Sequence, residues 1–173
     1  GNQLFVAFAG ALKGAPVTKA TIARWIVQTI EFCHKKAAKE LAVKPRAHST
    51  RKKGATVAIP KTTALSVQSE YTTYRHLYGK IVFLVAMTSL RKVSELQALT
   101  IAEPYMQIHK DKVALRTNPT FLPKVATSFH LNQTIYLPAF FQNPKDNAER
   151  MLHTLDCRRA LIYYLSQTKQ IRK

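Results

Sequence analysis

The densest chemistry in the chain lies between Lys44 and Lys53, where Lys44, Arg46, Arg51, Lys52 and Lys53 surround one histidine, His48. His48 and Arg51 stand three positions apart, a spacing that puts both side chains on one face if the segment is helical. A guanidinium there can grip an anionic oxygen through two parallel charge-assisted bonds, and an imidazole can move a proton near neutral pH. The plainer alternative is a packing histidine beside a solvated basic tail, and a His-x-x-Arg pattern arises easily by chance in so basic a chain. The same segment could also serve as a nuclear-import signal. Metal chemistry is not legible: Cys33 and Cys157 are far apart, and the six histidines are scattered without ligand spacing. The two cysteines read as reduced, buried thiols.

The charge balance narrows the partner. Among 173 residues, 27 Lys and Arg stand against 9 Asp and Glu, a net charge of +18. Residues 1–53 carry 11 basic and 2 acidic residues, and residues 81–173 carry 13 and 6, so no single tail accounts for the excess. Self-repulsion of this size destabilises a compact state, and a polyanion relieves it. Nucleic acid is favoured over an anionic membrane surface, because each neutralised phosphate also releases condensed counterions. The apolar fraction of 46% is that of globular material. The longest wholly apolar run, Ile81 to Met87, is too short to span a bilayer, and no basic segment precedes Leu4–Leu12 as a signal peptide requires. The chain begins with Gly1, as a fragment would.

These residues need a scaffold, and periodicity outlines one. Leu4–Phe8 reads as a short strand or buried loop before a Gly10/Gly14 turn. Thr18 is a fitting N-cap for a helix reaching to about Leu41, with Ile22, Ile26, Ile30 and Cys33 as its stripe, flanked by Trp25 and Thr29. Pro45 ends that reach, and the Thr, Ser, Ala and Val-rich stretch that follows reads as a linker. His76 to Leu99 predicts two helical pieces, the second beginning near Ser89. Tyr105–Ile108 and Val113–Arg116 flank His-Lys-Asp-Lys as a β-hairpin, and Thr134–Leu137 supplies a third strand. Asp156 is placed to cap a last helix whose inner face carries Leu161, Tyr164 and Leu165. The expected class is α+β, mostly helical with a small antiparallel sheet.

Several blocks together resemble one family. Ile81-Val-Phe-Leu-Val-Ala-Met-Thr-Ser-Leu-Arg-Lys-Val-Ser-Glu-Leu-Gln-Ala-Leu99 is similar to the first motif of tyrosine recombinases, the phage-integrase-like enzymes, and more narrowly to those of DIRS-type retrotransposons. Val113–Lys124, Leu155–Leu161, Leu4–Phe8, Val17–Lys19, Arg24–Ile26 and Arg46–Arg51 continue the likeness, so that it covers most of the chain. The order of the blocks is permuted. The resemblance implies a single recombinase catalytic domain in which residues 1–53 form the C-terminal half, 54–75 a linker and 76–173 the N-terminal half. Gly1 then continues from Lys173, and the two ends are expected to lie close together.

The family's reaction is a pair of transesterifications at a DNA phosphodiester, in which a tyrosine oxygen attacks phosphorus and the deoxyribose 5′ oxygen leaves. Carried over residue by residue, the resemblance implies that His48 and Arg51 supply the His-x-x-Arg motif and that Lys124, or alternatively Lys112, is the hairpin lysine protonating the leaving oxygen. The family's first arginine falls at Lys92, and Arg91 could replace it only if the helix start shifts by one residue. Lysine keeps the charge but loses the planar fork. Glu95 is expected to pair with a neighbouring base. The nucleophile has no clear equivalent. Tyr71, Tyr74 and Tyr78 lie slightly early, and Tyr78, in a faint Thr73-Tyr-Arg-His-Leu-Tyr78 match, is the best placed. Arg46, Lys52, Lys53, Arg24 and Arg158 are the further DNA-contact candidates. The expectation is therefore a nuclear domain that binds double-stranded DNA, with impaired cleavage and no cofactor or metal, from a transposable-element lineage of DNA recombination and integration. Assembly of several copies on DNA is compatible with it, and membrane association is not expected. Two alternatives stay open: an active recombinase using Tyr78, and a non-enzymatic basic protein that binds nucleic acid.

Overall fold

The computed structural model describes residues 2–8, 10–36, 74–123, 133–140 and 142–172. Within them run five helices, α1 (Lys19–Lys36), α2 (Tyr74–Ser89), α3 (Val93–Gln97), α4 (Asn147–His153) and α5 (Cys157–Thr168). Three strands, β1 (Met106–Ile108), β2 (Lys112–Leu115) and β3 (Ile135–Pro138), form an antiparallel sheet in the order β1-β2-β3. The α+β class expected from periodicity is the class observed.

Helix α2 is the centre of the molecule. Its run from Leu77 through Ala86 is buried apart from the partly exposed Lys80, as expected of a helix apolar on nearly every side. It packs against α1, α5, α3 and β3. Helix α1 starts where Thr18 Oγ1 accepts from the Thr21 amide at 3.2 Å, the N-cap expected from the sequence. Its buried face holds Ile22, Trp25, Ile26 and Thr29, so Trp25 belongs to the core. The expected continuation to Leu41 runs beyond the described part of the helix.

The α1–α2 contact is close because position 79 is glycine. A Cβ there would meet Thr29 Oγ1 at 2.6 Å, and that hydroxyl donates to the Trp25 carbonyl at 2.9 Å. At the far end of α2, Leu90 takes a left-handed backbone with φ 53 and breaks the helix before α3. That conformation crowds the Cβ of a residue other than glycine. Helix α3 buries Val93 and Leu96, and Gln97 Nε2 donates to the Val17 carbonyl at 3.2 Å, holding α3 at the entrance to α1.

The sheet pairs Gln107 with Ala114 and Ala114 with Tyr136 across its middle row. Side-chain alternation divides its faces: Val113, Leu115, Ile135 and Leu137 point into the core, while Ala114, on the opposite face, is also buried. Helix α5 begins at Asp156, whose Oδ1 accepts from the Arg159 amide at 2.7 Å. Leu161 and Tyr164 are fully buried, and Leu165 packs against the core from its edge. Leu4–Phe8 contributes core residues and isolated bridges, Gln3 to Thr100 and Val6 to Pro16, rather than a strand of the sheet. Helix α4 was not anticipated; it is short, capped by Asp146, and buries none of its residues.

The segments beside the two ends meet. Arg172 on the turn after α5 donates from Nη1 to the Gln3 carbonyl at 2.7 Å and from Nη2 to the Leu4 carbonyl at 3.0 Å. Its guanidinium also lies 5.6 Å from the Tyr164 ring centre. The Tyr164 hydroxyl donates to the Leu4 carbonyl and accepts from the Val6 amide, both at 3.2 Å. Gly1 and Lys173 themselves lie outside the described residues.

Candidate nucleic-acid interface

Acids are few against 27 cations, and three of the described ones, Asp146, Glu149 and Asp156, bind backbone amides. Asp156 caps α5 and accepts a second bond at Oδ2 from the Phe140 amide at 2.9 Å. Asp146 caps α4 through the Glu149 amide at 2.8 Å, and Glu149 reaches back to the Lys145 amide at 2.7 Å, a reciprocal arrangement of the capping-box kind. Glu95 faces Arg91 at 3.5 Å. Among the described residues this last is the only ion pair, so Lys92, Arg24, Lys110, Lys112, Arg116, Arg158 and Arg159 are not paired with acids.

The α2–α3 turn carries the residues matched to the recombinase family's first arginine. Lys92 occupies the N-cap position of α3 in an extended conformation, and its side chain is exposed and makes no capping bond. The helix starts at Val93 with its first amides bonding to the Lys92 carbonyl. Its start is therefore not shifted towards Arg91, whose guanidinium faces Glu95, the pairing anticipated for that acid.

A second group of cations lies where α5 meets α2 and the hairpin. Arg158 donates from Nε to the His109 carbonyl at 2.8 Å, tying α5 to the β1–β2 turn, and is partly buried. One of its donors is thus fixed to backbone, a more structural role than a purely DNA-facing residue has. Lys80 is half-buried beside Arg159; loss of hydration and then the Arg159 charge lower its pKa to about 8. Arg24 is exposed on α1.

Tyr78 requires correction. It is fully buried, its ring 4.8 Å from Phe8, 5.3 Å from Trp25 and 4.9 Å from Tyr164 between centres. A nucleophile must bring its oxygen to a phosphodiester, and a phenol inside the aromatic core has no path to one. Its place on the most apolar helix is the physical reason. The thiol of Cys157 is equally enclosed, and burial pushes its pKa up to about 12. Cys33 is partly exposed, so the expectation of two buried thiols holds for Cys157 alone.

His48, Arg51, Arg46, Lys52, Lys53 and Lys124 lie outside the described residues, as do Tyr71 and the segment expected to be a linker up to residue 73. Lys112, the alternative hairpin lysine, opens β2, and its ammonium stands 5.3 Å from the centre of the Tyr136 ring. Sequence reasoning did not single out Arg116 or Tyr136. The signal was available: Lys112, Ala114 and Arg116 alternate with the buried Val113 and Leu115, so they share the outer face. Among the described residues no cluster of three metal-ligating side chains occurs, and no helix is long and apolar enough to cross a membrane.

The sequence matches no family model, and neither the curated proteins nor the solved structures contain a match to it.

Proposed function

We propose that this chain is a DNA-binding domain of tyrosine-recombinase descent that holds double-stranded DNA through its backbone phosphates and no longer cleaves it. The observation that carries this reading is the uncompensated positive surface. The net charge of +18 is the excess of 27 cations over 9 acids, and Asp146 and Asp156 among those acids bind backbone amides as helix caps rather than pairing with cations. Each phosphate engaged releases counterions, a favourable term that grows with dilution of salt. The resemblance to recombinase motifs adds duplex DNA as the particular polyanion and the nucleus as its place. The burial of Tyr78 supports loss of the cleavage step, since binding survives removal of a nucleophile while strand transfer does not. Lys92 acts in this reading as a point charge on phosphate rather than as a bidentate clamp.

Fluorescence anisotropy with a labelled duplex tests the reading. Contact with about four phosphates predicts that affinity falls roughly 100-fold between 50 and 200 mM salt. Lys92→Ala is expected to weaken binding and to lower the salt slope by about one. Salt-independent binding, or equal affinity for heparin and duplex DNA at matched salt, would sink the duplex reading and leave only a generic basic protein. A nicked suicide duplex is expected to trap no covalent adduct; a trapped adduct would show that cleavage persists. Deleting residues 44–53 is expected to move the protein out of the nucleus, and unchanged location removes that role from the segment.

A further inference from the structure

The outer face of the sheet carries a depression of about 310 Å³, open to solvent and rimmed by Tyr105, His109, Lys112, Arg116 and Tyr136. Its floor is Ala114, the small residue in the middle row between Gln107 and Tyr136. A larger side chain on β2 would fill the trough; alanine leaves room for a planar ring. Tyr136 stands beside that floor with 57% of its surface exposed, although it lies on a strand whose neighbours Ile135 and Leu137 are buried. Lys112 and Arg116 bracket Ala114 along β2, two residues to either side, so their backbones are about 13 Å apart. Arg116 is held in place by Nε donating to Thr134 Oγ1 at 2.9 Å, which uses one of its five donors. Lys110 adds a further cation on the turn, against a single rim carboxylate, Asp111.

We propose that this face binds an unpaired nucleotide of single-stranded nucleic acid, with its base against the Tyr136 ring and its flanking phosphates at Lys112 and Arg116. The ring face, the small floor and the cations at both ends match the three parts of a nucleotide strand: planar base, sugar and phosphates on either side. An aromatic platform inside a positively charged groove is the general means by which proteins hold single strands without reading sequence. A duplex does not fit the same trough, because its bases are stacked on each other and offer no free face. An acidic peptide would satisfy the cations but leave the ring and floor unmatched. In the free protein the Lys112 ammonium lies over the Tyr136 ring, a cation–π contact. An incoming base takes that place, and the ammonium passes to a phosphate. This site goes beyond duplex binding and does not rest on it.

The test measures anisotropy of a labelled oligothymidylate and a labelled duplex on the intact chain, side by side. Tyr136→Ala is expected to weaken oligothymidylate binding about 5- to 100-fold, the range for loss of one base–aromatic stack. Duplex affinity should change less than twofold, and Tyr136→Phe should keep single-strand affinity near that of the parent. Unchanged oligothymidylate affinity in Tyr136→Ala, or an equal loss for duplex, overturns the proposal. Thermal melting shows whether the variant folds. If it does not, Lys112→Ala and Arg116→Ala decide the matter: each is expected to reduce the salt slope on single strands by about 0.7, and an unchanged slope in both overturns the site. A duplex that fails to bind while Tyr136-dependent single-strand binding persists would sink the duplex reading alone. Salt-dependent duplex binding with Tyr136→Ala silent on single strands would sink this one alone.

Discussion

Lys80 illustrates how one residue can work against the fold that contains it. Its ammonium is partly stripped of water between α2 and α5 and is repelled by Arg159, which together lower its pKa from 10.5 to about 8. The sign of the consequence follows from proton counting. Between about pH 8 and pH 10.5 the unfolded chain binds the proton that the folded chain has released, so stability rises with pH across that window. Below pH 8 both states are protonated at Lys80 and the penalty is present in full. Thermal melting of the parent and of Lys80→Met should therefore differ most at pH 7, with the variant higher by about a few degrees, and should converge towards pH 10. Equal differences at both pH values would mean that lost charge is not the cause. Nothing in the one-dimensional pattern marks this lysine, since it reads as an ordinary polar residue on a helix.

At the scale of elements, the closest approach in the core is between α1 and α2 at Thr29 and Gly79. Gly79→Ala raises helix propensity but drives a Cβ into the Thr29 hydroxyl at 2.6 Å, and overpacking of this kind costs about 1–3 kcal/mol. Chemical denaturation should show that loss. Adding Thr29→Ala should recover much of it, because the obstructing oxygen is removed with its bond to the Trp25 carbonyl. Additive losses in the double variant would place the strain elsewhere. The elements themselves were largely legible. The hairpin, the third strand and the Asp156 and Thr18 caps follow from alternation, turn residues and side-chain oxygens at helix starts. Helix α4 was missed because a helix with no buried residue leaves no hydrophobic stripe to read.

For the whole molecule, the contact of Arg172 with the Gln3 and Leu4 carbonyls brings together the segments that a permuted recombinase order would join. A protein with Lys173 linked to Gly1 through a short Gly-Ser connection is expected to keep its circular dichroism spectrum and to melt no lower than the open chain, because closure reduces the entropy of the unfolded state. Loss of the folded spectrum on closure would count against the adjacency. Leu4, Phe5 and Val6 are buried without forming a strand of the sheet, and Arg172 and Tyr164 occupy the Leu4 carbonyl that a sheet partner would take.

Composition alone determined that this protein carries a large positive charge, and periodicity determined its class, because net charge and hydrophobic spacing belong to the sequence and no arrangement alters them. Tertiary structure decided which of those charges are free and which aromatic rings are reachable. Tyr78 and Tyr136 are chemically identical side chains; one is sealed between Phe8, Trp25 and Tyr164, and the other stands exposed beside the small Ala114 on the outer face of the sheet. That difference depends on which helix face and which side of a strand each occupies, and on what packs there, which is settled only when distant segments meet.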